Sequence, residues 1–339
     1  MITWFWRMLG LLLLAAVLFV AAGAWWVWRP LPLNTTTVDI SIEPGQSVKA
    51  IASNVVQSGV NVSPTALYYF FKLSGQSRQI RAGSYEVTQG LSAYALLNKL
   101  VRGEENLKYL TIVEGWNWRQ VRQALDKSEF LKHDSASLSD DEIMSHLGKA
   151  GVAAEGRFFP DTYNFGKGSS DLELLRRAAR AMDKRLDAAW ANRDLGLPLK
   201  NQDDALILAS IVEKETGLTS DRSMIASVFI NRLRINMPLQ TDPTVIYGLG
   251  ASFDGNLRRV DLQTDHPWNT YVHKGLPPTP IAMPGWAALQ ASLHPATSKA
   301  LYFVSRGDGS SQFSDNLADH NAAVDKYQRS PASAPGKAQ

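Results

Sequence analysis

The longest run of hydrophobic positions in the chain lies at its N-terminus. Residues 8–28 contain no charged side chain and include four consecutive leucines, Leu11–Leu14. At about 1.5 Å per residue, a helix of this length crosses the roughly 30 Å hydrocarbon core of a bilayer. We therefore predict a single membrane-spanning helix. Tryptophans, which favour the headgroup level of membranes, flank the run on both sides: Trp4, Trp6, Trp25, Trp26 and Trp28.

The flanks of this run bear on its orientation and fate. Ala22-Gly23-Ala24 resembles a cleavage site, so a cleaved signal peptide is the alternative; the length of the run and its continuation into tryptophans favour an anchor. Arg7 and the short head, residues 1–7, favour a cytoplasmic N-terminus, whereas Arg29 lies at the other edge. We expect the long remainder to be exported.

After the anchor, the pattern alternates between strand and helix. Residues 29–36 hold prolines and threonines and predict a linker. Val38–Ile42 alternates like a strand, and Pro44–Ser47 supplies a turn and a helix cap before apolar residues at helical spacing. A second turn, strand and helix follow over 81–100. The pattern predicts a small α+β domain over 37–104.

Residues 105–329 predict a larger mixed α+β domain. Thr111–Gly115 is typical of a strand and leads into a helix over Trp118–Leu125. Asp171–Trp190 predicts a long amphipathic helix. Gly307-Asp308-Gly309 between two apolar runs indicates a hairpin.

Two segments of this domain have alternative readings. The aromatic loop Arg157–Tyr163 either packs the domain or offers rings on which sugars stack, and packing is favoured. His320 lies in a predicted final helix, where a structural histidine is favoured over a catalytic base. Residues 330–339, rich in Pro, Ala and Ser, are expected to be disordered.

One carboxylate lies within an apolar helical pattern, in the segment Ile207–Thr216. At about 100° per residue, Leu208 and Val212 share a face, and Glu215 falls near its centre. Glu213 is expected to point the opposite way, towards water. A carboxyl held against apolar side chains has a raised pKa and keeps its proton near neutral pH, as a general acid in glycosidic cleavage must. The alternative is a structural ion pair with a buried Arg or Lys.

A second helix is expected directly after this one. Gly217 is predicted to end the first helix, and Thr219 or Ser220 to cap the second. Joined by so short a turn, the two helices would bring Asn231 and Arg232 near Glu215.

Composition excludes several classes of function. A net charge of +3 over 339 residues gives no argument for nucleic acid binding. The absence of cysteine excludes disulfides and thiol catalysis, and the six histidines show no ligand spacing. We predict neither a metal site nor a cofactor.

Five motifs resemble the YceG-like family of endolytic murein transglycosylases. They are IVEKET at 211–216, ASVFINRL at 226–233, LQTDPTVIYG at 239–248, NTY at 269–271 and GLPP at 275–278. The small domain, with its strand, P-G-x-S turn and helix, resembles the LysM carbohydrate-binding module. The resemblance implies an α+β protein with one transmembrane helix, a LysM-like domain and a catalytic domain.

The same resemblance implies a function. It implies a bacterial inner-membrane protein whose periplasmic domain cuts nascent peptidoglycan strands internally between N-acetylmuramic acid and N-acetylglucosamine, ends glycan elongation and has peptidoglycan synthases as partners. The catalytic residue would be Glu215, acting first as acid and then as base to leave 1,6-anhydro ends. The expected substrate-binding residues are Asn231, Gln240, Thr241, Asp242, Asn269 and Tyr271.

Two alternatives remain open from the sequence. A muramidase-type hydrolase would need a partner carboxylate, for which Asp242 is the candidate, although an Asp before Pro in a turn commonly binds its own backbone. A non-catalytic peptidoglycan-binding scaffold is the other, but such a protein has no use for a desolvated acid at Glu215.

Overall fold

The computed structural model describes residues 2–215 and 218–329. In these residues helices predominate, and the strands form three two-stranded sheets. The mixed α+β class is confirmed. The predicted helix end at Gly217 and the predicted disordered tail, 330–339, lie outside the described residues. The chain divides into one unit made of 1–109, 130–132 and 164–169, and a second made of the remainder.

The first unit begins with the apolar helix. Its elements are α1 (Ile2–Trp28), β1 (Thr37–Ile42), α2 (Val48–Gln57), α3 (Pro64–Leu73), β2 (Gly83–Thr88) and α4 (Ala93–Arg102). Within α1, Trp6–Trp28 is long and apolar enough to cross a membrane, and its residues are exposed except for half-buried Trp26 and Val27. The helix begins at Ile2, so the predicted head is helical from its second residue.

The predicted strand, turn and helix of this unit are confirmed. β1 pairs antiparallel with β2 from Thr37 opposite Thr88 to Ile42 opposite Gly83. Every second residue of β1 is buried, as the alternation predicted. The Ser47 side chain accepts a hydrogen bond from the Ala50 amide and so caps α2.

The segment predicted as a linker, 29–36, is hydrogen-bonded to the first unit along its length. The Leu31 amide donates to the Leu91 carbonyl at 2.8 Å, and the Asn61 amide donates to the Pro32 carbonyl at the same distance. Leu31 is 5% exposed and belongs to the hydrophobic core of the unit. The chain therefore passes from α1 into the small unit without a free tether.

The second unit contains most of the helices. Strands β3 (Leu107–Thr111) and β4 (Thr162–Gly166) each have residues in both units. The other elements of the second unit are α5 (Trp118–Asp126), α6 (Asp140–His146), α7 (Asp171–Ala191), α8 (Gln202–Glu215), α9 (Thr219–Arg234), α10 (Asp242–Leu249), α11 (Arg259–Gln263), α12 (Trp286–Leu293), β5 (Tyr302–Ser305), β6 (Ser311–Ser314) and α13 (Leu317–Val324), followed by a π-helical turn, Asp325–Arg329. β3 pairs with β4, and β5 with β6.

Helix α8 lies in the centre of the second unit. It packs against α7, α9 and α12, and every residue from Ala205 to Val212 is buried. A helix that is covered on all sides has no solvent face over these positions. It can therefore carry its final residue, Glu215, into the interior surface of a cavity.

Several boundaries differ from the prediction. The strand expected at Thr111–Gly115 lies earlier, at Leu107–Thr111, because the chain then turns through Gly115 with a φ of 76°. Helix α9 begins at Thr219, with Leu218 at its N-cap position, so neither predicted cap, Thr219 or Ser220, is the N-cap residue.

Other elements are confirmed. The hairpin is formed by β5 and β6, with Tyr302 opposite Ser314. The aromatic loop packs the unit, since Phe158 and Phe159 are buried and Phe158 stacks on Trp118 with centroids 4.8 Å apart.

Candidate active site

A cavity of about 420 Å³ opens beside the C-terminal end of α8. Its wall is built from α8, α9, the start of α10, the loop before α12, the β5 strand and α13. The lining residues are Glu215, Arg232, Gln240, Asp242, Tyr271, Tyr302, Phe303, Leu317, His320 and Asn321.

The carboxyl group of Glu215 is held by a hydroxyl. Thr241 Oγ1 donates a hydrogen bond to Glu215 Oε1. Thr241 is itself fixed, because it is 2% exposed and its amide donates to Thr270 Oγ1 at 3.1 Å. The Thr270 hydroxyl also lies 2.9 Å from that of Thr244, in the first turn of α10. A chain of three threonines thus positions the acid.

The environment of Glu215 favours its protonated form. Burial raises the pKa of this carboxyl to about 7, against the lowering effects of the Thr241 hydrogen bond and the Arg232 charge, and the negative charge of Asp242 raises it further. Both protonation states are therefore well populated at neutral pH. This is the condition for a group that gives up a proton and then takes one.

Arg232 is a cation fixed at the cavity by main-chain groups. Its Nε donates to the Leu301 carbonyl at 2.7 Å, and its Nη1 donates to the Leu239 carbonyl at 2.7 Å. Its guanidinium lies 5.3 Å from the Tyr302 ring centroid, and the residue is 7% exposed. Arg232 acts on Glu215 through its charge and connects the two chain segments that flank the cavity.

Asp242 and Tyr271 form a pair at the cavity mouth. The Tyr271 hydroxyl donates to Asp242 Oδ1 at 2.5 Å. Burial, followed by the hydrogen bond and charge of Asp242, raises the pKa of Tyr271, so that the phenol stays a donor. Asp242 is exposed and is the first residue of α10, where a negative charge is favoured by the helix dipole.

Gln240 also lines the cavity. Its side chain is exposed, and its backbone amide donates to the Thr270 carbonyl at 3.1 Å. Its φ of 48° lies in the left-handed region, which is uncommon for a residue with a side chain. The structure thus brings Glu215, Gln240, Thr241, Asp242 and Tyr271 together.

Two predicted site residues lie elsewhere. Asn269 is fully buried, and its Nδ2 donates to the carbonyls of Asp261, Leu262 and Thr264. Asn231 Nδ2 donates to the carbonyls of Ser298 and Ala300, both at 3.0 Å. Both side-chain amides bond main-chain carbonyls, and neither residue lines the Glu215 cavity.

The hairpin and α13 supply cavity residues that the sequence did not indicate. His320, assigned a structural role from sequence, stacks on Tyr302 with centroids 5.1 Å apart. Burial, with a smaller effect from the charge of Arg232, lowers its pKa and favours the neutral ring. No local signal links residues 302–321 to Glu215, because the contact forms only in the folded chain. Arg232, in contrast, lay in a motif beside Asn231.

Glu213 does not face water, and that prediction was wrong. Its side chain is 7% exposed; its Oε2 accepts from the Gly285 amide at 2.9 Å, and its Oε1 lies 3.6 Å from Arg222. The pKa of Glu213 is raised by burial. Because α12 and the loop before it cover this side of α8, the helical wheel could not separate the two glutamates by exposure.

A further buried carboxyl, Glu155, lies in a separate cavity of about 550 Å³. Both of its oxygens accept from the Trp118 amide at 3.0 Å, at the start of α5. Burial raises its pKa to about 7 despite this hydrogen bond. Glu155 caps a helix and is not part of the Glu215 cavity. Across the described residues there is no cluster of three potential metal-ligating side chains.

The chain is similar to known proteins. The model of the YceG-like family matches residues 40–326, most of the chain. The chain belongs to the YceG-like family. Family membership covers both units and includes the segments that bear Glu215, Thr241 and Tyr271.

Relatives of this chain carry a functional name. The Endolytic murein transglycosylase of Bacillus subtilis is 35% identical over 314 residues, which cover 87% of this chain and 86% of that protein. A protein of the same name from Streptococcus pneumoniae is 28% identical, and the match covers 88% of this chain and 60% of that longer protein. The crystal structure of a putative yceG-like protein from Listeria monocytogenes is similar at a TM-score of 0.50 and 26% identity, covering 85% of this chain and 98% of that one.

Proposed function

We propose that this chain is an endolytic peptidoglycan lytic transglycosylase, a lyase that cuts the bond between N-acetylmuramic acid and N-acetylglucosamine within glycan strands. Support comes from relatives bearing that name over most of the chain. The observation that carries the proposal is a buried carboxyl, Glu215, with a pKa of about 7 at the wall of an open cavity.

In the proposed reaction, protonated Glu215 gives its proton to the bridging oxygen as the bond to the muramoyl anomeric carbon breaks. The resulting carboxylate takes the proton of the muramoyl 6-hydroxyl, whose oxygen bonds to the same anomeric carbon. The products are a 1,6-anhydro-muramoyl end and a free N-acetylglucosamine hydroxyl. No water is consumed, and Glu215 returns to its protonated form.

The other cavity residues fit substrate positioning. The ring of Tyr271 offers a face on which a sugar can stack, and Gln240 offers a side-chain amide for acetamido or hydroxyl groups. Thr241 tunes the acid, and Arg232 supplies a fixed positive charge. Asp242 is proposed as the acceptor that orients Tyr271.

A muramidase-type hydrolase is the nearest alternative, with Asp242 as the second carboxylate. Its bond to Tyr271 at 2.5 Å favours the orienting role instead. A non-catalytic scaffold is the second alternative. The raised pKa of Glu215 beside a fixed hydroxyl donor weighs against it, because binding alone does not need a desolvated acid.

We further propose the cellular setting. Residues 8–28 would span the bacterial inner membrane with 1–7 in the cytoplasm, and 105–329 would act in the periplasm on nascent strands, next to peptidoglycan synthases, as a terminator of elongation. One of the described helices is long and apolar enough for this span. Residues 37–104 are proposed as LysM-like, which the observed β1, Ser47 cap and α2 support.

The test is mass spectrometry of peptidoglycan digested by the full-length protein in detergent, beside its Glu215→Gln and Glu173→Gln variants. Glu173 is an exposed glutamate on α7 and controls for the loss of a charge. Internal cuts ending in 1,6-anhydro-muramic acid, lost only in Glu215→Gln, would support the proposal. Reducing ends would indicate a hydrolase, and no cleavage by the parent would favour the scaffold.

A further inference from the structure

The C-terminal end of α1 packs directly on the small unit. The Trp28 ring stacks on Tyr94 of α4 with centroids 4.5 Å apart, and the Trp26 ring meets Phe70 of α3 edge-on at 6.3 Å. Trp26 belongs to the residues packed against the core of this unit. Since Trp26 lies within the window that is long and apolar enough to cross a membrane, Phe70 contacts the last helical turn of that window.

Large apolar side chains are exposed on the parts of α3 and α4 that contact the anchor. Leu73 is 83% exposed and Tyr69 is 54% exposed, on either side of Phe70 in sequence. Tyr94 is 40% exposed next to Trp28. We call the surface formed by Trp25, Trp28, Tyr69, Leu73 and Tyr94 the apolar rim. Several large exposed apolar side chains on neighbouring elements are typical of a binding surface.

The composition of the apolar rim identifies what covers it. Tyr and Trp side chains favour the boundary between headgroups and acyl chains, and the rim is continuous with a helix of membrane-spanning length. Cations lie beside it: the Arg29 guanidinium is 4.8 Å from the Trp25 ring centroid, and the Lys72 ammonium is 5.7 Å from the Tyr68 ring centroid. Such cations match lipid phosphates.

The connection between anchor and small unit keeps the apolar rim in place. Residues 30 and 33 form β-bridges with Ser92 and Val60, and the Leu31 amide is bonded to the Leu91 carbonyl. A unit on a flexible tether could leave the bilayer, but here the chain is pinned immediately after Trp28. The rim is therefore held in a fixed position relative to the C-terminal end of α1.

We propose that the small unit is a membrane-surface module, whose apolar rim lies in the phospholipid headgroup region with Leu73 and Tyr69 reaching the acyl boundary. The occupant of this surface is the lipid of the bilayer that α1 spans. The proposal rests on the proposed span and is independent of the proposed chemistry.

The absence of cysteine makes a direct test possible. Full-length Leu73→Cys and Tyr69→Cys variants, labelled with an environment-sensitive fluorophore, would be reconstituted in protein-free phosphatidylglycerol and phosphatidylcholine vesicles. Half of the samples would contain lipid brominated at the upper acyl carbons, which quenches nearby probes. Glu43→Cys is the matched control, since Glu43 is exposed and follows the C-terminal end of β1, the end of that strand opposite to the one that continues from segment 29–36. Leu14→Cys, in the middle of the span, is the positive control.

We expect brominated lipid to lower the emission at Leu73→Cys and Tyr69→Cys and to leave Glu43→Cys unchanged. Emission at Leu73→Cys that is as insensitive as at Glu43→Cys, while Leu14→Cys is quenched, would overturn the membrane-surface module and leave the span intact. An unquenched Leu14→Cys would overturn both. Thermal unfolding of each variant beside the parent checks that the labelled sites leave the fold unchanged.

Discussion

Thr241 donates a hydrogen bond to the carboxyl of Glu215, and Asp242, the next residue, places a negative charge near the same group. The two neighbours act in opposite directions on one pKa. The hydrogen bond stabilises the carboxylate, and the charge destabilises it. This opposition gives paired predictions for the pH dependence of the proposed reaction.

Thr241→Val should move the basic limb of the activity profile to higher pH. The substitution keeps the shape of the side chain but removes the hydrogen bond that lowers the pKa of Glu215. Because the general acid must be protonated, kcat/KM should fall only at a pH about one unit higher than in the parent. The measurement is kcat/KM for strand cleavage between pH 5 and 9. An unchanged limb would remove Thr241 from acid tuning.

Asp242→Asn should move the same limb to lower pH. It removes a charge that raises the pKa of Glu215, while the asparagine Oδ1 can still accept the Tyr271 hydrogen bond. Activity below the limb should stay within about tenfold of the parent, because no second catalytic carboxylate is needed. A loss of about a hundredfold or more at every pH would instead indicate the hydrolase mechanism.

Glu155→Gln should flatten the pH dependence of stability. The folded-state pKa of Glu155, about 7, lies above the value in the unfolded chain, so the folded protein binds more protons between these values. Stability from this group is therefore full at low pH and is lost as pH rises towards 7, by up to about 3 kcal/mol. Denaturant unfolding at pH 4.5 and 7.5 measures this difference, and exposed Glu173→Gln is the control. An equal difference in both variants would contradict the prediction.

Asn269→Ala should act mainly on the stability of the fold, and on the cavity only through the Tyr271 backbone amide, which donates to Asn269 Oδ1 at 2.9 Å. Its amide serves three main-chain carbonyls in a fully buried position, and their loss should cost roughly 2 kcal/mol or more in the free energy of unfolding. Gln240→Ala, at an exposed cavity position, should raise KM while leaving that free energy unreduced. A change in KM for Asn269→Ala in protein that remains folded would return this residue to the binding site.

Elements that are determined by residues close together in sequence could be predicted from the sequence. The Ser47 cap, the β5–β6 hairpin and α7 depend on neighbours in sequence, and they were predicted. Glu215 was located at the cavity, but the argument from one helical face was incomplete. Helix α8 is covered on all sides from Ala205 to Val212, and the side chain of Glu213, the next residue, is buried as well.

The part of the cavity wall that the sequence did not predict is formed by contacts between residues distant in sequence. Arg232 reaches the carbonyl of Leu301 across 69 positions, and this contact places Tyr302 and His320 beside the acid. Asn231 and Asn269 have polar side chains in the motifs, and the fold directs their side-chain nitrogens to main-chain carbonyls, which the sequence does not indicate. Sequence pattern identifies polar groups, whereas the fold determines whether they face a ligand or a carbonyl.

The left-handed backbone conformation of Gln240 lowers the stability of the fold at a position whose side chain lines the cavity. A residue with a side chain adopts this left-handed conformation at a free-energy cost about 1 kcal/mol higher than that for glycine. A laboratory selection for heat resistance alone should therefore enrich glycine at this position. The glycine would lack the side-chain amide that faces the cavity. Variants selected only for thermal stability are therefore expected to lose a substrate contact first at residue 240.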